Sequence, residues 1–477
     1  MAETNLVYRS LDGFECKEEG MTTALTMGGL DVGVNRTSSP DRALALFSYG
    51  LFTVIAGVFV VTALRYPLIY IWATYEDLLG EWIQFWLYVA TMLLSLRVVF
   101  TSRRHRPFFG LLAVACFYVA MEEISWGQRV LGFASPEFFR QHNLQGETNV
   151  HNFLTGPFGT SLKAAMEYAV AAALVVYGLF YPLSYRTRFR IAVWAEARGL
   201  AVPPGYLWPF FTVAACLELG PLQFNEGEIA EILVGTALAV MAMQYAFAGR
   251  RALSSETSRW PQGAAGKLAG RGLFGACLLL SLAANTTLAI HVTPDGRERN
   301  ETRIANGVDK FAARYARYRA WDMAIALLER ARQANPGDAS VLRKLARCHR
   351  DAGDAAEGDR LLHLALAMDL KQLDRDPEAA SVNRSLVRTY ELLGDQHQAQ
   401  FHIDIALRIG LLRIQEHPTS AKAAYSLGRT YELMGRDAEA LEQFERAVEL
   451  DPASRRFQSA YRAAGGRADS AGESDLD

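Results

Sequence analysis

The feature that most constrains this chain is a series of seven apolar stretches in its first 300 residues. They lie at about 43–66, 80–101, 107–123, 162–184, 206–222, 228–248 and 271–292. A helix rises about 1.5 Å per residue, so roughly 20 apolar residues cross a hydrocarbon layer about 30 Å thick. Most of the stretches reach that length; the third and fifth are short and need their flanking residues. Lipid offers backbone amides no partner, which leaves helices as the solution for such runs. The expectation is an all-α chain with a seven-span helix bundle over 43–293.

Loop charges set the expected orientation. Arg103, Arg104 and Arg106 follow the second span, Arg186, Arg188, Arg190 and Arg198 the fourth, and Arg250, Arg251, Arg259 and Lys267 the sixth. The loops after the first and fifth spans have no Lys or Arg, and the loop after the third has only Arg129 and Arg140. The positive-inside rule then puts the N-terminus in the cytoplasm and everything after the seventh span outside, as in a bacterial inner membrane. With that orientation Glu122, Glu123, Glu218, Glu226, Glu228 and His291 all fall at or near outward-facing span ends. An outward-opening polar site is the consequence.

The net charge of −2 over 477 residues gives no basic excess for a nucleic acid to meet. It averages an apolar half to about 293 and a charged, Ala- and Leu-rich half after it. Cys116, Cys216 and Cys277 lie in spans and Cys348 stands alone in the second half, so no disulfide framework is possible there. Residues 1–42 lack an apolar h-region and read as a disordered cytoplasmic tail. Residues 465–477 are Gly-, Ser- and acid-rich and read as a second disordered tail.

The second half repeats itself. In 421–454, Leu427, Gly428, Tyr431, Gly435, Ala440, Phe444, Ala447 and Pro452 hold fixed offsets. The frame recurs at Leu386, Tyr390, Gly394, Ala399 and Ala406, and again at Leu345, Gly353, Leu362 and Ala365. A first copy has Phe311, Ala312, Tyr315, Ala324, Leu328, Ala331 and Pro336. This spacing closely resembles a tetratricopeptide repeat, with Ala424 at the usual Trp position. The resemblance implies an extracytoplasmic TPR-like α-solenoid over 294–464 that folds on neighbour stacking and not on the membrane. Its concave groove would take a protein or peptide; a spacer or assembly platform is the competing role. The two middle copies close late, at Pro377 and Pro418, with a period of 41 residues. The surplus over a 34-residue unit is about two helical turns, so their second helices should protrude.

The candidate site lies after the third apolar stretch, in the loop 124–160. Met121-Glu122-Glu123-Ile124-Ser125-Trp126-Gly127-Gln128-Arg129 ends a span with adjacent acids, which need water, a cation or a partner. A helix continued through here would put Glu122, Ser125, Trp126 and Arg129 on one face, with Glu122 facing Arg129 and Glu123 pointing elsewhere. The alternative is an interfacial span end anchored by Trp126. Ser135-Pro136-Glu137 predicts a helix start. Asn143, Gln145, Glu147, Asn149 and His151 then alternate, so an extended segment would face them all one way. In a helix, Glu147 and His151 would instead stand at i and i+4, a spacing that can chelate a metal. Asn225 with Glu228 reads as a capping arrangement opening the sixth span.

The two stretches E-E-x-S-W-G-Q-R and N-x-Q-x-E-x-N-x-H-N resemble the signature of an uncharacterised group of bacterial integral membrane proteins, which implies no activity. The seven-span layout is also similar to that of membrane hydrolases related to alkaline ceramidases. The last span offers only His291 where those enzymes carry a His-x-x-x-His pair, so their metal ligands are lacking. The leading expectation is a membrane hydrolase or transferase acting on a lipid or lipid-linked substrate. Glu122, Glu123 and His151 would be catalytic, and Trp126, Gln128, Arg129, Asn143, Gln145, Asn149 and Asn152 would bind substrate. A divalent metal, if used, would sit on Glu123, Glu147, His151 and Glu218. The rival expectations are a membrane-anchored scaffold for cell-envelope assembly without catalysis, and a transporter or sensor.

Overall fold

The computed structural model describes residues 39–76, 78–131, 133–142, 148, 159–247, 264–452 and 454–465, and those residues form helices and no strand. The first half opens with α1 (Ser39–Arg65), the short α2 (Pro67–Thr74), α3 (Leu79–Thr101) and α4 (Arg106–Glu123). The small helices α5 (Gln128–Leu131) and α6 (Glu137–His142) follow. Then come α7 (Gly159–Val175), continued through a π-turn into α8 (Tyr181–Arg186), and α9 (Arg190–Ala197). The half closes with α10 (Trp208–Glu218), α11 (Glu226–Phe247) and α12 (Ala264–Val292).

Among the described residues five helices are long and apolar enough to cross a membrane: Ala43–Arg65, Leu79–Thr101, Ala164–Arg186, Glu226–Phe247 and Gly266–Val292. The pair Arg106–Glu123 and Ser125–Leu131, bent by 61°, would make a sixth. The fifth apolar stretch holds a shorter helix than the others. That helix is α10, only 11 residues long, which spans about 16 Å. Pro209 fixes where that helix can begin, and the chain turns at Gly220, with φ of +59°, before Pro221. Extended flanks carry the chain the rest of the way along α11: the Val202 N–H donates to the Tyr245 hydroxyl at 3.0 Å near one end of that helix, and Glu226 accepts the Gln223 N–H at 2.8 Å at the other.

Outer faces of the long helices are apolar and exposed: Val54, Val58 and Leu64 on α1, Phe100 on α3, and Leu273 and Phe274 on α12. Helix α11 is the central one, with Leu233, Ala237, Met241 and Ala242 almost fully buried among its neighbours. At one end of the bundle the arginine-rich loops come together, where Arg104 pairs with Glu196 and the His105 ring meets the Gly199 carbonyl at 3.2 Å. The other end of α3 carries Glu81 and the polar residues considered below.

The second half is four antiparallel helix pairs and a closing helix. The pairs are α13 (Pro294–Arg317) with α14 (Trp321–Ala334), and α15 (Ala339–Asp351) with α16 (Ala355–Arg375). Next are α17 (Ala380–Leu393) with α18 (Gln396–Glu416), and α19 (Ala421–Leu433) with α20 (Asp437–Leu450), before α21 (Arg455–Ala463). Asp338, Asp354, Asp395 and Ser420 cap four of these helices by accepting a backbone N–H in the first turn. The late prolines have the expected effect: α16 and α18 run 21 residues against 14 for α14 and α20.

The array does not stand apart from the bundle. A single apolar cluster runs from Phe59, Tyr70 and Ile71 through Phe311 and Tyr315 to Leu345 and Leu362. Gly307 makes the close approach possible, since a Cβ there would lie 2.7 Å from the Ile71 side chain. Around that contact the Tyr315 hydroxyl donates to the Ala63 carbonyl at 2.6 Å and Tyr318 to the Leu222 carbonyl at 3.1 Å. Arg314 donates to the Asn225 side chain at 2.9 Å, and Asn225 donates in turn to the Thr74 carbonyl at 2.9 Å. The expectation of a solenoid built on neighbour stacking alone is therefore corrected: the first pair uses α2 and the 222–225 turn as its neighbour.

Candidate functional site

Helix α4 stops at Glu123, and Ser125, Trp126 and Gly127 take left-handed φ values of +47°, +52° and +87°. A left-handed residue with a side chain costs about 1–2 kcal/mol, so the surroundings must hold it. They do so through Glu122, which is 8% exposed and accepts the Trp126 indole N–H at 2.6 Å. The Tyr118 ring packs edge-on against Trp126 at 6.2 Å. The continuous helix expected here is corrected, and with it the pairing of Glu122 with Arg129. Strained turns of this kind concentrate at functional sites.

Past the turn, Arg129 folds back beneath α4. It donates to the Glu123 carbonyl at 2.7 Å and forms an ion pair with Glu81 of α3. Glu123 has Glu231, Glu81, Glu228 and Arg129 as its charged surroundings. Glu231 faces Glu218 and Glu81 in turn, while Glu228 faces Glu231, Glu76 and Arg129 and accepts the Gln84 amide at 3.0 Å. Glutamates from α3, α4, α10 and α11 thus gather, half-buried, at one end of the bundle, with Arg129 beside Glu81, Glu123 and Glu228.

Sequence reasoning picked out Glu123 and Glu218 and missed Glu81 and the part played by Glu231. A signal existed. Glu81, Gln84 and Tyr88 stand at i, i+3 and i+7 within α3, and Glu228 and Glu231 at i and i+3 within α11, so each set shares a helix face. Glu226 stands apart: its carboxylate accepts the backbone N–H groups of Leu222, Gln223 (2.8 Å) and Phe224 and fixes the turn before α11. That corrects the capping role expected of Asn225 with Glu228. His291 belongs to the joint between the halves, with Asn300 at 3.4 Å and the Trp72 ring edge-on at 6.3 Å.

Beside the acids lies a cavity of about 510 Å³, bounded by Trp82, Gln128, Arg129, Phe133 and Ile290 and by residues Asp295 to Arg303 of α13. That volume suits a small ligand or a head group. Gln128 also pins the loop, donating to the Ser135 hydroxyl at 2.9 Å and accepting the Thr148 N–H at 2.9 Å. Trp126 is not among the lining residues. Arg303 on the cavity wall pairs with Glu76 at 3.2 Å, so charged contacts lead from the acids to the first repeat. Asn143, Gln145, Glu147, Asn149, His151 and Asn152 lie outside the described residues. Among the described residues no three His, Cys, Asp or Glu side chains are placed to hold a metal ion.

The repeat array has a second polar surface, on its first helices. Arg343 of α15 pairs with Asp369 at 3.0 Å and reaches Thr389 of α17 at 3.2 Å, while Ser385 donates to the same carboxylate at 2.9 Å. Arg384 of α17 reaches across to α19, to the Ser426 carbonyl at 3.1 Å and the Thr430 hydroxyl at 3.0 Å. Burial, followed by the charges of Arg429 and Arg388, pushes the Arg384 guanidinium down to about 10. A second cavity, of about 770 Å³, opens between Gly337, Arg343, Lys371, Arg375, Ser381 and Ser385.

The tetratricopeptide repeat family model matches residues 421–454. No curated protein matches the chain. Solved structures that resemble it include a thermophilic TPR protein of Thermus thermophilus at 22% identity, covering 34% of this chain and 80% of that one with a TM-score of 0.21. The MamA protein is similar at 21% identity, covering 34% and 80% with a TM-score of 0.16. MamA from residue 41 onward of Desulfovibrio magneticus RS-1 follows at 17% identity, covering 34% and 89% with a TM-score of 0.16.

Proposed function

We propose that this chain is a membrane-anchored tetratricopeptide platform that holds a protein partner over the acid-lined end of a helix bundle. The observation that supports this reading is the shared core at the joint, where Tyr70, Ile71, Phe311 and Tyr315 pack together. A flexible tether would serve a mere anchor. A welded first repeat instead fixes the groove relative to the cavity at the span ends. The positive-inside rule puts that face, and the array with it, outside the cytoplasm. A photo-crosslinking residue at the exposed Ser381 in the groove should trap an adduct of defined mass in intact membranes, and one at the exposed Glu445 of α20 should not. Equal labelling from both positions would overturn the platform.

A second reading attaches to the acids themselves. Glu81, Glu228 and Glu231 surround Glu123 together with Arg129, which puts several candidate proton carriers in one place. Next to a cavity at a bilayer surface, that suits a hydrolase or transferase acting on a lipid or lipid-linked substrate. Glu123 would act as the general base, directly or through a water on a divalent cation, with His151 as the acid. Asn143, Gln145, Asn149 and Asn152 would bind the head group. Loss of turnover in Glu123→Gln, in protein of unchanged abundance, would test it; full turnover in that variant would end it.

A further inference from the structure

The repeats carry arginine at equivalent positions of their first helices. Arg347, Arg388 and Arg429 are each 41 residues apart on α15, α17 and α19, and Arg343 and Arg384 share another register. Contacts from Arg343 to Thr389 and from Arg384 to Thr430 show that these helices lie side by side, so the equivalent positions form rungs. The two ends of the ladder differ. Arg343 has Asp369 as its counter-charge. Arg384, one rung on, reaches only hydroxyl and carbonyl oxygens among the described residues, and the charges around it are Arg429, Arg388 and Arg456. Arg388 is exposed with no acidic partner among the described residues, and Arg429 has Glu432 at 2.6 Å. Arg456 of α21 stacks on the Tyr425 ring at 4.6 Å.

Charges that leave water are ordinarily paired inside the fold, as Arg343 is. A half-buried guanidinium ringed by three more, with few carboxylates, lacks only an external anion. We propose that Arg384, Arg388, Arg429 and Arg456 form the docking site for an extended acidic segment of a partner protein. The inference deepens the platform reading and rests on it. Packed helices stand about 8–10 Å apart, and a segment extended as polyproline II rises about 3.1 Å per residue with three residues per turn, so acids at every third residue would share a face and match successive rungs. Guanidinium forks hold carboxylates through paired N–H bonds, which gives such a segment direction as well as charge. The Tyr425 ring under Arg456 and the Ser426 and Thr430 oxygens under Arg384 hold two of these guanidinium groups in place.

The test uses the full chain in nanodiscs and a fluorescent synthetic peptide with Asp at every third position, against the same peptide with Asn. The Asp peptide should bind and the Asn peptide should not, with affinity falling as salt rises. Arg388→Gln, an exposed change that leaves the melting curve unaltered, should weaken binding about tenfold, the scale of one charge-assisted hydrogen bond. Arg388→Glu should turn the preference toward a peptide with Lys at the facing position. Equal binding of the Asp and Asn peptides, indifference to Arg388→Gln, or binding of anionic vesicles in place of the peptide would each overturn the proposal. A persistent Ser381 adduct in Arg388→Gln would leave the platform standing while removing its acid specificity. Loss of the adduct in wild type removes both.

Discussion

Adjacent glutamates at the end of α4 have different neighbours, and two substitutions should separate their surroundings. Glu123 sits among carboxylates, so Glu123→Gln removes one negative charge from a repelling group and should leave the melting temperature in detergent unchanged or raised. Arg129→Gln takes away the cation paired with Glu81, both side chains being less than a fifth exposed, and should cost on the order of 3–5 kcal/mol. If Glu123→Gln destabilised as much as Arg129→Gln, the acids would be a structural lock. His402, packed on Tyr390 and bonded to Asn383 at 2.9 Å, gives a pH test in the array. Burial holds its pKa below the ordinary 6.5, so the unfolded chain gains a proton that the folded one refuses. The stability that neutral His402 contributes is therefore complete above pH 6.5 and lost as pH falls below it toward the folded value. Melts compared between about pH 8 and about pH 5 should show a loss in wild type that is smaller in His402→Gln.

At the scale of elements, small residues decide how closely helices approach. A Cβ on Gly428 would lie 2.7 Å from the Phe444 ring and 3.3 Å from the Ala440 carbonyl, so Gly428→Ala should overpack α19 against α20 and cost about 1–3 kcal/mol. Trimming the ring with Phe444→Leu in the same chain should recover part of that loss, and denaturant melts would show it. No recovery would mean the strain lies elsewhere. The pairs themselves were legible beforehand, because Leu427, Gly428, Tyr431, Ala440 and Phe444 recur at offsets that a helix hairpin imposes. Late prolines at 377 and 418 likewise foretold the long α16 and α18. The interruption of the chain after Glu123 was not legible: Ser125-Trp126-Gly127 has no proline, and its left-handed backbone is held by the Glu122–Trp126 bond.

For the molecule as a whole, the joint between bundle and array is the feature with most consequence. Val308, Phe311, Ala312 and Tyr315 on α13 are at most 4% exposed in the whole chain, partly under α2 and Phe224. A soluble fragment from 294 to 465 would uncover that face and should self-associate, as exposed apolar patches do. The same fragment with Tyr315→Gln and Tyr318→Gln, which makes the face toward Ala63 and Leu222 polar, should stay monomeric and helical. Sedimentation of the two would decide; a monomeric 294–465 fragment would mean that the shared core is dispensable.

By itself the sequence determined where the long apolar helices lie, that the second half is a tetratricopeptide array, and that acids collect at the ends of apolar helices. Each follows from a local or periodic rule: apolar run length, the recurrence of small and large residues, and the cost of charge in lipid. Tertiary structure alone decided the partners. Arg129 lies six residues from Glu123 and 48 from Glu81, yet it takes the carbonyl of the first and the carboxylate of the second. Tyr315 reaches back 252 residues to Ala63. Hydropathy and repeat spacing report how much a residue must be buried but not against what, because contacts between distant segments depend on how whole helices are stacked.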